Sequence, residues 1–369
     1  MKKILFCAST LSHIKNFHLP YIKEFKKRGW EVDIAVDQQA YVENVRKTVA
    51  LNIRKNILSI NNIIAIFRIR RIIKKERYDV ISVHTTLASV IIRLSIMFLK
   101  NRPKVIYTCH GYLFRKDKSI KSKVYLGIEK ICAVVTDTLL VMNNEDLETA
   151  YQYKLYKNEI HYIQGMGIQV ERFNPIDKQQ KYGLRIEKGF SKEDVIYIYV
   201  AEFSARKNHK FLITAIKGII DEIPNAKFIL VGDGVLFEEI KLLTKTLGLA
   251  KQVIFTGYTD EVAKLYQISD VCVSSSYIEG LPFNIMEAMA SGLPILASDI
   301  KGHKELVNHG KNGYMYDLNN VEELQRQILK LYKNSELRQK FSKESLRMIV
   351  KFNLKDVLDE NMRIYEKTS

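Results

Sequence analysis

VIYIYVAEFSARKNHKFLITAIKGIIDEIPNAKFILVGDG, residues 195–234, decides the fold. Residues 195–200 and 227–231 are short β-branched and aromatic runs of the kind that form buried strands, and between them residues 208–222 space their apolar side chains at helical period. Strand, helix, strand in this order makes a parallel pair joined by a crossover helix.

The same alternation extends in both directions. Further strand-like runs lie at 4–7, 32–36, 80–83, 105–108, 138–142, 253–255, 271–274 and 294–297, and helical patterns at 19–28, 63–76, 237–247 and 285–291. The fold class this implies is α/β, with buried parallel sheets covered by helices on both faces. A length of 369 residues suits two such domains. The break is placed at 164–175, where Gly165, Gly167 and Pro175 cluster. The expected domains are residues 1–170 and 171–352, each doubly wound and Rossmann-like and facing the other across a cleft, with a C-terminal helix at 353–369 packing back on the first.

Apolar residues make up 47% and charged residues 27%, which excludes a disordered chain. The formal charge of +17 is uneven: residues 1–175 carry 30 basic and 15 acidic side chains, the remainder 28 and 26. A basic half calls for a polyanionic partner. Nucleic acid is not expected to be that partner, because no helix-turn-helix, zinc-finger or RNP-like motif is present. Cys7, Cys109, Cys132 and Cys272 show no CxxC or Cys/His spacing and read as reduced core residues, so no metal site is expected. The apolar run at 86–99 is short of a bilayer span and contains Arg93, and the chain reads as a cytoplasmic protein without an export signal.

Ligands of doubly wound domains bind outside the carboxyl ends of the strands. At 274–290, SSSYIEGLPFNIMEAMA, a strand ends in three serines, a turn carries Glu279, Gly280 and Pro282, and a helix starts near Phe283 or Asn284. A helix start suits a phosphate, and Gly280 lets backbone approach a ligand. Glu287, one turn into the helix, can accept from a pair of sugar hydroxyls. These features fit a nucleotide-sugar site. Acidic residues placed at a helix start for its dipole fit the same spacing.

Glu279 and Glu287 within EGLPFNIMEAMASGLPILASD closely resemble the signature of retaining GT-B glycosyltransferases of family 4. The resemblance continues through GMGIQVERFNP at 165–175, FILVGDG at 228–234, VIFTGY at 253–258 and GHKELVNHGKNGY at 302–314. It implies a nucleotide-sugar donor held by the second domain and transfer with retention, with no cofactor and no essential metal. Glu287 would accept from the ribose and Glu279 would contact the donor sugar. Gly280, Leu281, Pro282, Phe283, Asn284 and Ile285 would line the sugar and diphosphate, with Gly232 on the phosphate side and Tyr258 at the base.

The family also implies an Arg and a Lys directed at the diphosphate. In EFSARKN at 202–208 Lys207 matches the Lys, but Glu202 stands at the Arg position. Arg206 is a candidate replacement, and an ion pair from Glu202 to one of these cations is the alternative. His110, in TCHGYLF, matches a His that contacts the donor sugar and reacting centre. In the loop STLSHIKNFHLP the family's paired glycines are replaced by Ser12, His13 and Ile14. His13 or Lys15 could approach an acceptor phosphate, whereas His18 reads as a helix-start or packing residue.

Two basic, apolar segments remain. Residues 61–77 read as a core-facing helix with a solvated basic face. Residues 112–130 carry Arg115, Lys116, Lys118, Lys121 and Lys123 beside the His110 loop, and are expected on an anionic membrane surface. The whole describes a retaining hexosyl- or N-acetylhexosaminyltransferase, peripheral at the inner face of the plasma membrane. Its expected donor is a UDP-sugar and its acceptor a glycan on a polyprenyl diphosphate carrier, in surface polysaccharide assembly. A nucleotide-sugar epimerase or a phosphorylase on the same fold is the alternative, with a basic nucleic-acid-binding protein behind it.

Overall fold

The computed structural model describes residues 1–54, 59–112, 114 and 119–368. It divides into two compact units, Met1–Gly167 with Lys355–Ser369, and Ile168–Leu354.

The first unit contains strands β1 (Lys3–Cys7), β2 (Glu31–Val36), β3 (Lys47–Ala50), β4 (Val80–His84), β5 (Lys104–Cys109), β6 (Thr138–Val141) and β7 (Glu159–Tyr162). They form one parallel sheet in the order β3-β2-β1-β4-β5-β6-β7. The second unit has β8 (Val195–Val200), β9 (Ala226–Val231), β10 (Val253–Gly257), β11 (Val271–Ser274), β12 (Ile295–Ser298) and β13 (Gly313–Tyr316), in the order β10-β9-β8-β11-β12-β13. Both sheets are doubly wound. The strand order reverses between β1 and β4 in the first unit and between β8 and β11 in the second, and those two points are where such sheets bind ligands.

Three strands escaped the sequence reading: β3 (KTVA), β7 (EIHY) and β13 (GYMY). All three are sheet edges. An edge strand packs on fewer neighbours, so it lacks the continuous apolar run by which a central parallel strand is recognised; every residue of β7 is half-buried. The cores confirm the assignment of the central strands. Leu5, Ile81, Val105 and Leu139 pack under the first sheet, and Phe228, Leu230, Val273 and Leu296 under the second. The four cysteines are free and buried. The helix Leu354–Thr368 belongs to the first unit, where Asn361 Nδ2 donates to Tyr21 Oη at 2.8 Å and Tyr365 Oη lies 2.5 Å from Ser82 Oγ.

The helix Ile60–Glu76 corrects one expectation. Its inner face is Asn62, Ala65, Ile69 and Ile73, while Ile60, Ile63, Ile64 and Phe67 stand exposed, Phe67 at 68%. Arg68, Arg71, Lys74 and Lys75 continue the same exposed face. The outward face is thus apolar at one end and basic at the other, rather than solely basic. Among the described residues no helix is long and apolar enough to cross a membrane.

Candidate functional site

The second unit assembles its chemistry at the β8/β11 reversal. After β8 the chain makes a short 3₁₀ turn, Ala205–Lys207, and after β11 it runs through Ser275, Ser276 and Glu279 to the helix Phe283–Ala290. Serine hydroxyls bind the two loops together. Ser275 Oγ donates toward Lys207 O at 3.1 Å and Asn208 O at 2.9 Å, Tyr199 Oη donates to Lys207 O at 2.8 Å and lies 3.0 Å from Ser276 Oγ, and Tyr277 N–H donates to Arg206 O at 2.9 Å. Ser298 Oγ closes the set by donating to Ser276 O at 2.6 Å.

This lacing brings Lys207 Nζ to 2.5 Å from Glu279 Oε1 and Arg206 Nη1 to 3.1 Å from Glu279 Oε2. Glu279 is 8% exposed. Burial would raise its carboxyl pKa, but the Lys207 and Arg206 charges outweigh that and hold it below the ordinary range, so it is ionised at neutral pH. The partner of both cations is therefore Glu279 and not Glu202, which is exposed; the alternative of a Glu202 ion pair is overturned. Lys207 is buried, while the Arg206 side chain is 46% exposed and can reach an incoming anion.

Beneath Glu279, the buried imidazole of His303 donates from Nδ1 to Ser298 O at 2.7 Å and faces Ser274 Oγ with Nε2 at 3.2 Å. Burial pushes its pKa down to about 4, so it is a neutral spacer. Gly302 is required there: a Cβ would lie 2.6 Å from Glu279 O and 2.7 Å from Gly280 O. Gly232 has φ +132°, and a Cβ on it would lie 2.2 Å from Ala201 O, which gives this residue a packing reason of its own. Leu281 and Ile285 are buried, Pro282 caps the helix and has no N–H to offer, Phe283 and Asn284 open the first turn, and Tyr258 is 79% exposed beyond β10.

Glu287 follows on the same helix. Tyr266 Oη donates to Asn284 O at 2.9 Å and lies 3.3 Å from Glu287 Oε2. Burial pushes the Glu287 pKa up to about 7, against the lowering effects of Tyr266 and Arg172. Its folded pKa thus exceeds its unfolded value, so the folded state binds more protons between about pH 4.5 and 7 and loses stability as pH rises through that window. Glu287→Gln removes this penalty. The melting temperature of Glu287→Gln minus that of the parent should be more positive at pH 8 than at pH 5, and an equal difference at both pH values would exclude a buried, proton-holding carboxyl.

In the first unit the β1/β4 reversal gathers four histidines. His13 lies on the helix Leu11–Phe17 and His18 at its end, His84 ends β4, and His110 follows β5. Their ring nitrogens, one per residue, all lie within 4.8 Å of one another. His18, expected as a packing residue, is fully buried with neither ring nitrogen hydrogen-bonded. Burial and mutual repulsion hold His18, His84 and His110 well below their ordinary pKa, and burial lowers His13 to about 4. A neutral cluster is a weak anion site, which counts against His13 as a phosphate contact. Sequence reasoning missed this cluster, because its members come together only when β1, β4 and β5 lie side by side, and it assigned no role to Tyr199 or His303. Of the basic candidates, Lys121 and Lys123 are exposed on the helix Ile120–Ala133, and Arg115, Lys116 and Lys118 lie outside the described residues.

Residues 183–348 match the family described as Glycosyl transferases group 1, and residues 3–143 match Glycosyl transferase 4-like. The chain is 33% identical over 366 residues to "Putative glycosyltransferase EpsD" of Bacillus subtilis (strain 168), covering 99% of this chain and 96% of that one. It is 29% identical to the UDP-Gal:alpha-D-GlcNAc-diphosphoundecaprenol alpha-1,3-galactosyltransferase of Escherichia coli, over 76% of this chain and 73% of the relative. Its fold matches sucrose-phosphate synthase from Thermosynechococcus elongatus with a TM-score of 0.83 at 18% identity, over 100% and 99% of the two chains. Two doubly wound sheets of this order, carrying both sequence matches and a full-length relative, settle the lineage: the chain belongs to the GT-B glycosyltransferases of family 4 type.

Proposed function

We propose that this glycosyltransferase moves a hexosyl or N-acetylhexosaminyl group from a UDP-sugar to a hydroxyl of a glycan carried on a polyprenyl diphosphate, with retention. The observation that carries the donor reading is the grouping of Arg206, Lys207, Glu279 and Glu287 around one strand-order reversal. Arg206, Lys207 and the start of the helix Phe283–Ala290 supply positive potential for a diphosphate, and Glu287 supplies an acceptor for ribose hydroxyls. The cations serve where a magnesium ion would otherwise neutralise the leaving group, so the diphosphate needs no metal. In the proposed step the bond from C1 to the diphosphate breaks, the acceptor oxygen bonds to C1 on the same face, and its proton passes to the departing phosphate. His110 is the proposed contact to the reacting sugar. The Escherichia coli relative, whose name specifies UDP-galactose and a diphosphoundecaprenol-linked acceptor, supports both substrate classes.

A hydrolysis and thermal-shift panel of UDP-, GDP- and ADP-sugars tests the donor. Glu287→Ala should weaken nucleotide binding about tenfold to a hundredfold by calorimetry, the cost of roughly 1–3 kcal/mol for unpaired buried hydroxyls. Unchanged affinity would reject the placement. An NMR product with the opposite anomeric configuration would reject retention, and activity lost to EDTA and restored by Mg²⁺ or Mn²⁺ would reject a metal-free diphosphate. Turnover of the donor without acceptor would indicate an epimerase, and dependence on inorganic phosphate a phosphorylase.

Placement at an anionic membrane is supported by exposed apolar residues set beside cations: Ile63, Ile64 and Phe67 with Arg68 and Arg71 on one helix, and Ile120 and Val124 with Lys121 and Lys123 on another. Ile64→Ser with Phe67→Ser should reduce sedimentation with anionic liposomes about tenfold, the loss expected from partial insertion of two apolar side chains. Binding that is equal on neutral vesicles and insensitive to salt would mean the face serves another purpose.

A further inference from the structure

We propose that His13, His18, His84 and His110 bind one divalent transition-metal ion, with zinc as the natural choice for four imidazole donors. The residues converge from three chain segments, those at the ends of β1, β4 and β5, and the inference stands on the first unit alone, independent of the donor reading.

The four donor nitrogens are already gathered within reach of one ion. Zinc–nitrogen bonds of about 2.0–2.1 Å place ligand nitrogens about 3.3–3.4 Å apart. His84 Nδ1 and His110 Nε2 are 3.3 Å apart, and the full set spans no more than 4.8 Å. Imidazoles on one tetrahedral zinc hold their ring centroids about 5 Å apart; those of His13 and His110 are 4.8 Å apart, and those of His18 and His84, at 3.8 Å, must swing away from each other on binding. The second observation is the orphaned nitrogen set. Both ring nitrogens of the fully buried His18 and Nε2 of His13 have no hydrogen-bond partner. Unmet buried polar atoms cost folding energy, and coordination would satisfy one on each residue.

The surroundings accommodate the required tautomer. His84 Nε2 lies 2.9 Å from Ser82 Oγ, itself 2.5 Å from Tyr365 Oη, so Nε2–H can donate to Ser82 and leave Nδ1 for the metal. Coordination through His110 Nε2 leaves its Nδ1–H as a fixed donor, compatible with a contact to substrate. Phe6 stacks against His84 at 6.1 Å and lies 6.0 Å from His18, walling the site with an apolar ring.

The test uses the full chain, freed of any affinity tag and stripped with a chelator, then titrated with Zn²⁺ by calorimetry and with Co²⁺ by visible absorption. One ion per chain and the intense visible bands of tetrahedral cobalt are expected. His13→Ala and His18→Ala should each weaken Zn²⁺ binding by at least about a hundredfold, and Ser82→Ala by about tenfold to a hundredfold. His309→Ala, an exposed histidine of the second unit, serves as the control and should bind as the parent does. His18 is buried and its variant could misfold, so His13→Ala, at a partly exposed position, decides the matter. Substoichiometric binding to the parent chain, or binding that survives His13→Ala, overturns the proposal.

Discussion

Glu129→Ala lowers the stability of the first unit by about 3–5 kcal/mol, the usual cost of leaving one member of a buried ion pair alone. Arg93 has no exposed surface, yet all five of its N–H groups are used. Nη1 and Nη2 donate to the two oxygens of Glu129 at 2.9 and 3.1 Å, Nε donates to Ser89 O at 3.1 Å, Nη2 to Ser89 Oγ at 3.0 Å, and Nη1 to Thr136 Oγ1 at 3.3 Å. The guanidinium also lies 4.1 Å from the Tyr107 ring centroid. Removing Glu129 strands a charge with no water to receive it. In a unit of this size the loss corresponds to a fall in melting temperature on the order of 10 °C. Arg93→Met with Glu129→Leu should cost less than Glu129→Ala alone, because it removes both charges. A single-variant loss below about 1 kcal/mol, within the range of exposed pairs, would show that the pair is solvated.

Lys207→Ala should reduce turnover about a hundredfold to a thousandfold, the effect expected of deleting one preorganised charge at the proposed diphosphate site. Lys207 is the buried member of the pair of cations on Glu279 and cannot be replaced by a passing solvent cation; Arg206, half in solvent, is expected to matter less. The loss should concentrate on the diphosphate. UDP should bind more weakly to Lys207→Ala than to the parent, while uridine binds equally to both. A turnover within threefold of the parent, or equal losses for uridine and UDP, would mean that Lys207 only holds Glu279 in place.

Much of this was readable along the chain, and some of it could not be. The central strands declare themselves because each is buried on both faces and therefore continuously apolar, which is a property of neighbours in sequence. The edge strands β3, β7 and β13 do not, since an edge is defined by what lies beside it. Glu279, Glu287 and the helix start at Phe283 lie on one short segment, so their spacing was informative. That Lys207 and Arg206 both turn to Glu279 was not, because the contact depends on β8 and β11 lying side by side and on serines lacing their loops. The helix Ile60–Glu76 carries large apolar residues on both its inner and its outer face, so its period states which residues share a face but not which face turns inward. The sequence by itself determined the alternation of strands and helices, the two-domain division and the helix start at Phe283, all consequences of local periodicity and turn chemistry. The tertiary structure alone decided the Glu279 ion pairs, the Arg93–Glu129 pair and the four-histidine cluster, because burial and electrostatic contact depend on distance through space, and a doubly wound sheet makes neighbours of loops far apart in the chain.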